Sequence, residues 1–142
     1  QTAKNIAIMQ FYNESVNGPS NVGQIFTEKL RDYFQNNTKL ALTTDPLNAD
    51  LVLEGNIDSY LATPISPTSD GVTETAAQQK LTISIKTTYT NYSDSTQSFN
   101  KSFASFAIFG ADQNLSDVET EKIEEISDQI ILKIFNASFD NW

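Results

Sequence analysis

The sequence contains no cysteine and no histidine. The first absence excludes a disulfide framework, thiol catalysis and a thiolate-ligated metal. The second removes the usual general base and the commonest zinc ligand. Without Cys, the redox compartment stays open. Glycine is scarce as well: five residues, scattered singly, form no glycine-rich loop to cradle a phosphate. No apolar run reaches the roughly 18–20 residues that span a bilayer as a helix. Basic residues number 9 against 18 acidic ones, a net charge of −9. Nucleic-acid affinity rests on Lys and Arg displacing phosphate counterions, so this balance argues against a nucleic-acid partner. It argues equally against broad attraction to anionic membranes.

What is present describes one domain. A chain of 142 residues with 39% hydrophobic and 19% charged residues fits a single globule with its own core. Thr, Ser, Asn and Gln fill the rest, a polar rather than ionic surface of the kind frequent in secreted and envelope proteins. The sequence opens at Gln1 with neither Met nor a hydrophobic leader. The expectation is a mature chain, with any signal peptide or lipid-bearing Cys lying upstream.

Along the chain the apolar periodicity alternates between strand and helix. Asn5 to Tyr12 is mostly apolar and predicts a buried strand. A turn-rich stretch to Ser20 follows, and Ser20 or Asn21 is expected to cap a helix with its side-chain oxygen. In that helix Val22, Ile25, Phe26, Leu30, Tyr33 and Phe34 form one stripe, and Asn36-Asn37 ends it. Leu40-Ala41-Leu42 predicts a short strand. Ala49 to Leu61 predicts a long one, in which Gly55 marks a bulge or a close approach of a neighbour. Thr63 to Gly71, with two prolines, is expected to be a loop.

Ala76 to Tyr92 alternates most cleanly, with Leu81, Ile83, Ile85 and Tyr89 on one face and Lys80, Thr82, Ser84, Lys86 and Thr88 on the other. A polar turn at Asn91–Ser95 returns Ser98 to Phe109 as its antiparallel partner. The Phe99, Phe103, Phe106, Phe109 run is read as core in preference to a lipid groove. Ser116-Asp117-Val118-Glu119 has the form of a capping box. The helix behind it, about 22 residues or roughly 33 Å, carries Ile123, Ile126, Ile130, Ile134 and Phe135 as its stripe. The resulting fold is α+β. It is a two-layer sandwich, two helices packed on one face of a mixed, mainly antiparallel sheet of about four or five strands. Its first strand, helix and next strand form a right-handed crossover.

Reactive chemistry finds little support. The carboxylates from Asp112 to Asp128 suit the positive end of a helix dipole and read as a solvated face. Asp50, Glu54 and Asp58 are too widely spaced along a strand for catalytic partnership, about 13 Å per four residues. Asn-x-Ser/Thr triplets such as those at Asn13, Asn36, Asn91 and Asn136 are expected by chance in so Asn- and Ser-rich a chain. No spaced motif points to a metal, a cofactor or a catalytic set, and the chain is read as non-enzymatic. Lys80 and Lys86 project from the polar strand face and Lys101 sits on the partner strand. Together they could grip an anionic lipid, or simply protect strands against edge pairing.

The element order carries a resemblance. Asn5-Ile6-Ala7-Ile8-Met9-Gln10-Phe11-Tyr12-Asn13-Glu14-Ser15 resembles the opening strand of LptE-family lipoproteins. Ile25 to Phe34 resembles their first helix, and Ala49-Asp50-Leu51-Val52-Leu53-Glu54-Gly55-Asn56-Ile57-Asp58-Ser59-Tyr60 resembles their long strand. The resemblance implies an outer-membrane lipoprotein facing the periplasm, held by an acylated N-terminal Cys. It implies a domain that plugs and helps assemble an LptD-like β-barrel and contacts lipopolysaccharide, here with Lys80, Lys86 and Lys101 as the candidate contacts. The net negative charge departs from what capture of an anionic lipid favours. The long strand also resembles small periplasmic domains of the TolB N-terminal or CsgG kind, which bind proteins or oligomerise.

Overall fold

Residues 3–65 and 77–139 are described by a computed structural model. The first apolar stretch forms not one strand but two. β1 (Asn5–Ile8) runs parallel to β4 (Leu51–Ile65), the chain leaves the ladder at Met9–Phe11, and β2 (Tyr12–Asn13) rejoins β4 further along. Phe11 is the reason for the break. Its ring is wholly buried and packs edge-on against Phe26 of α1 (Val22–Asn37), with centroids 5.1 Å apart. Its N–H donates to Thr27 Oγ1 at 2.9 Å, and that hydroxyl donates in turn to the Gly23 carbonyl. Arg31 completes the clamp by donating through Nε and one terminal nitrogen to the Ile8 carbonyl. The loop groups released from the ladder are thus satisfied by the helix.

Helix α1 begins just after Asn21 as expected, but no side chain caps it. Val22, Phe26, Leu30 and Phe34 are its buried stripe. After β3 (Ala41–Thr43) and a 3-10 turn at Pro46–Asn48, β4 extends to Ile65, through the stretch expected to open a loop. Pro64 is tolerated because, among the described residues, no strand pairs with β4 on that side beyond Ile57, the partner of Asn13. The remainder of the expected loop, from residue 66, lies outside the described residues. The register of β4 slips between Ile57 and Ser59, so Tyr60 joins Ile57 on the buried face. Gly55 is therefore not the bulge but the close approach. A Cβ there would stand 1.9 Å from the Lys86 carbonyl oxygen and 2.8 Å from the Phe11 ring.

β5 (Gln78–Asn91) and β6 (Phe99–Gly110) form the expected antiparallel hairpin, and α2 (Leu115–Phe139) returns across it. The sheet order is β3-β1-β4-β5-β6 with β2 beside β4, six strands where four or five were expected. The extra count comes from the Phe11 break. α1 and α2 lie together on one face, and their stripes share one core with Leu51, Leu53, Ile57, Leu81, Ile83, Ile85 and Tyr89. Phe34, Phe135 and Phe139 interlock at the helix ends, with centroids 5.0–5.6 Å apart. The expected capping box is not used, since α2 already begins at Leu115 and the Glu119 carboxylate accepts from the Tyr60 hydroxyl.

Two outcomes follow from this packing. Gly55→Ala is expected to destabilise the domain by at least about 3 kcal/mol, because backbone must move to admit the methyl group. Urea titration beside a Ser102→Ala control measures it. The second concerns Tyr89, buried between the rings of Phe99 and Phe139. Burial pushes its hydroxyl up to about 12 from 10.0, with the neighbouring Asn91 side chain drawing it back. The folded state thus holds its proton where the unfolded chain ionises. Its contribution is complete below about pH 10 and lost as pH rises toward about 12. Denaturant midpoints should fall across that window, and Tyr89→Phe should flatten the fall.

Candidate interaction surface

Because both helices occupy one side, the other face of the sheet has no covering layer among the described residues beyond the small buried cluster of Ala7, Ala49 and Val52. The strand period of two puts Asn56, Thr82, Ser84, Lys86, Thr88, Thr90, Asn100 and Ser102 on it, mostly hydroxyls and amides. Toward the far end of the β4–β5–β6 ribbon its character changes. Leu61, Thr82 and Phe106 form one cross-strand row, and Thr63, Lys80 and Ile108 the next. Leu61, Phe106 and Ile108 are 50%, 46% and 40% exposed, with Phe106 and Ile108 neighbours on β6 and Leu61 on β4 across Thr82. The Lys80 ammonium lies 4.6 Å from the Phe106 ring centroid, a cation–π contact.

Phe106 was expected in the core with Phe99, Phe103 and Phe109, and the structure corrects this. Positions 99, 103 and 109 share parity and turn toward the helices, whereas 106 has the opposite parity and faces out. Parity also divides the candidate lysines. Lys80 and Lys86 lie on the open face, six positions apart or roughly 20 Å. Lys101 pairs with the buried Thr87 and so stands on the helix side of β6, its ammonium 5.4 Å from the Phe99 centroid. The three therefore do not form one patch. The alternation of β5 made Lys80 and Lys86 readable in advance, but nothing in the sequence alone sets the register that places Lys101.

The carboxylates are dispersed. Asp50 accepts from the Lys4 N–H at 2.7 Å, while Glu54 and Asp58 are exposed. On α2, Asp128 pairs with Lys29 at 3.0 Å and Glu125 with Lys122 at 3.5 Å. Among the described residues no three acidic side chains converge as a metal site. Glu119 differs in reaching the sheet. It meets Tyr60 at a cavity of about 520 Å³ also lined by Asn17, Pro19 and Leu115. Burial, the bond to Glu119 and its negative charge all raise the Tyr60 hydroxyl well above its ordinary range. Tyr60 thus stays a neutral donor, pinning α2 to the far end of β4. A second cavity of about 500 Å³, walled by Leu40, Phe135 and Phe139, lies at the opposite pole between the helix ends. Among the described residues, no helix is long and apolar enough to cross a membrane.

The chain is similar to several solved structures over nearly its whole length. A hypothetical protein, CT253, from Chlamydia trachomatis superposes with a TM-score of 0.60 at 12% identity, covering 98% of this chain and all of that one. A minor lipoprotein from Acinetobacter baumannii gives 0.60 at 11% identity, covering 98% and 93% of the two chains. Rare lipoprotein B from Shewanella oneidensis gives 0.50 at 14% identity, with 96% of each chain covered. At such identities the likeness is one of fold. No curated protein matches the sequence. The lipopolysaccharide-assembly family LptE, by contrast, matches residues 3–138, nearly the whole sequence. The chain belongs to the LptE family of lipopolysaccharide-assembly proteins.

Proposed function

We propose that this domain acts as an outer-membrane lipoprotein that plugs an LptD-type β-barrel and assists its assembly during lipopolysaccharide transport. The observation that carries the reading is the open sheet face. β4 alone runs 15 residues, roughly 50 Å of strand, and the surface around it is rich in hydroxyls and amides. The lumen of a large membrane barrel is itself polar. A face made mostly of hydroxyls and amides meets such a wall largely with hydrogen bonds, with Lys80, Lys86 and Glu54 as its charged groups. The plug role asks for no reactive group, and the carboxylates have structural or solvated places. An N-terminal lipid anchor on the periplasmic side of the outer membrane belongs to the same proposal.

Contact with lipopolysaccharide is a second element of the proposal. Lys80 and Lys86 offer it positive charge on the open face, and Lys80 adds apolar neighbours. Lys101 offers a separate point of contact on the other side of β6.

Extraction of outer membranes with detergent tests the first element. The protein is expected to co-purify with a large LptD-type barrel, and failure to do so ends the plug reading. Charge reversal tests the second. Lys80→Glu with Lys86→Glu is expected to weaken lipopolysaccharide binding by about tenfold, and Lys101→Glu, made separately, reports on its own side. Unchanged affinity would remove the reversed lysines from the account.

A further inference from the structure

The edge formed by β6 carries an inference beyond the barrel reading. Among the described residues β6 ends the sheet on the side opposite β3, and it is 12 residues long. The Asn91 N–H donates to the Ser98 hydroxyl and the Ala111 N–H to the Ala77 carbonyl. Odd positions of β5 and β6 therefore turn their backbone groups toward each other. By alternation, Asn100, Ser102, Ala104, Phe106 and Ile108 turn theirs to the open side. The Ala104 carbonyl confirms the direction, since it accepts from Lys133 Nζ of α2 at 2.6 Å. One turn earlier on α2, Gln129 accepts from the Ser105 hydroxyl. At the end of the strand the Gln113 side chain accepts from the Gly110 N–H at 2.8 Å, while Ala104 itself is exposed.

Charge is segregated onto the same hairpin. In a chain of 18 acidic and 9 basic residues, the strands β5 and β6 contain three lysines and no acidic residue at all. Lys133 adds a fourth cation at the rim. Exposed edges that must stay unpaired are usually short, bulged or covered. This one is long, regular in register over all twelve positions, and met by side chains at the Ala104 carbonyl and at the Gly110 N–H at its end.

We propose that β6 is a strand-addition site for an extended acidic–apolar segment of a protein partner. The segment pairs with the outward backbone groups from Asn100 to Ile108. Its acidic side chains meet Lys101 and Lys133, and its apolar ones lie beside Phe106 and Ile108. Backbone pairing supplies the affinity and the alternate side chains the selectivity. A second copy of this chain does not fit, because edge-to-edge pairing would bring two cationic hairpins together. In the resting state Lys133 occupies one outward carbonyl, and an incoming strand displaces it to its own carboxylates.

The test uses the whole domain and labelled synthetic peptides of about nine residues, the span of that outward register. One alternates Val with Glu, a second alternates Val with Lys, and a third is the Val–Glu peptide N-methylated throughout. Fluorescence anisotropy should show binding of the first alone. Hydrogen exchange should slow at the amides of Ser102, Ala104 and Phe106 on binding. Lys101→Glu should weaken binding by about tenfold, whereas Lys133→Ala, which frees the Ala104 carbonyl, should leave the same amides protected. Equal binding of the Lys or N-methylated peptide overturns the proposal, as does binding that leaves the β6 amides unprotected. Protection of those amides by purified lipopolysaccharide in place of the acidic peptide also overturns it. None of these results depends on the barrel, so they stand apart from the co-purification outcome.

Discussion

The seating of Phe11 is the contact on which the rest of the architecture depends. The ring enters the core where β1 and β2 part, over a glycine in β4 and against Phe26 on α1. Gly23 and Gly55 leave the space on either side. A Cβ on Gly23 would stand 2.2 Å from the Phe11 carbonyl oxygen, much as one on Gly55 would strike β5. Backbone at this crossing is packed against backbone, so helix and sheet have one distance of approach. Thr27 and Arg31 then bind the donor and acceptor that the broken ladder exposes. A strand interruption, which would leave buried groups unpaired, is converted into the joint between layers.

One-sided coverage follows. With α1 held on that face, the crossover to β3 and the return of α2 fill the same side, and the aromatic cluster of Phe34, Phe135 and Phe139 closes the helices against each other. Among the described residues no helix covers the opposite face, where Ala7, Ala49 and Val52 form a small buried cluster of their own. The composition of that face suits its exposure: hydroxyls and amides over most of its area, with Leu61, Phe106 and Ile108 toward the Lys80 end. The protein therefore presents a sheet surface of mostly hydroxyls and amides on one side and an acidic helical surface on the other. The chain's membership of a lipopolysaccharide-assembly family stands beside this architecture.

The bulge at Asp58 shows how a small irregularity has a large spatial consequence. One extra residue shifts the parity of β4 beyond it. Tyr60 is thereby buried and reaches Glu119 on α2, while Leu61 turns out to join Phe106. Without the shift Tyr60 would face solvent, α2 would lose its attachment at that pole, and Leu61 would leave the open face.

The sequence by itself determined the helices, the hairpin and the layer count, because each of these is written in a local period. The stripe Val22, Phe26, Leu30, Phe34 and the alternation Leu81, Ile83, Ile85, Tyr89 depend only on the geometry of a single element. The family, too, was legible from the order of those elements and from the strand Ala49 to Tyr60. What tertiary structure decided were matters of register and depth. The break at Phe11, the parity change at Asp58, the outward turn of Phe106 and the place of Lys101 on the helix side all depend on which residue lies across from which. That pairing is set by long-range contacts such as Gly55 against Lys86 and Phe11, and no local pattern records them.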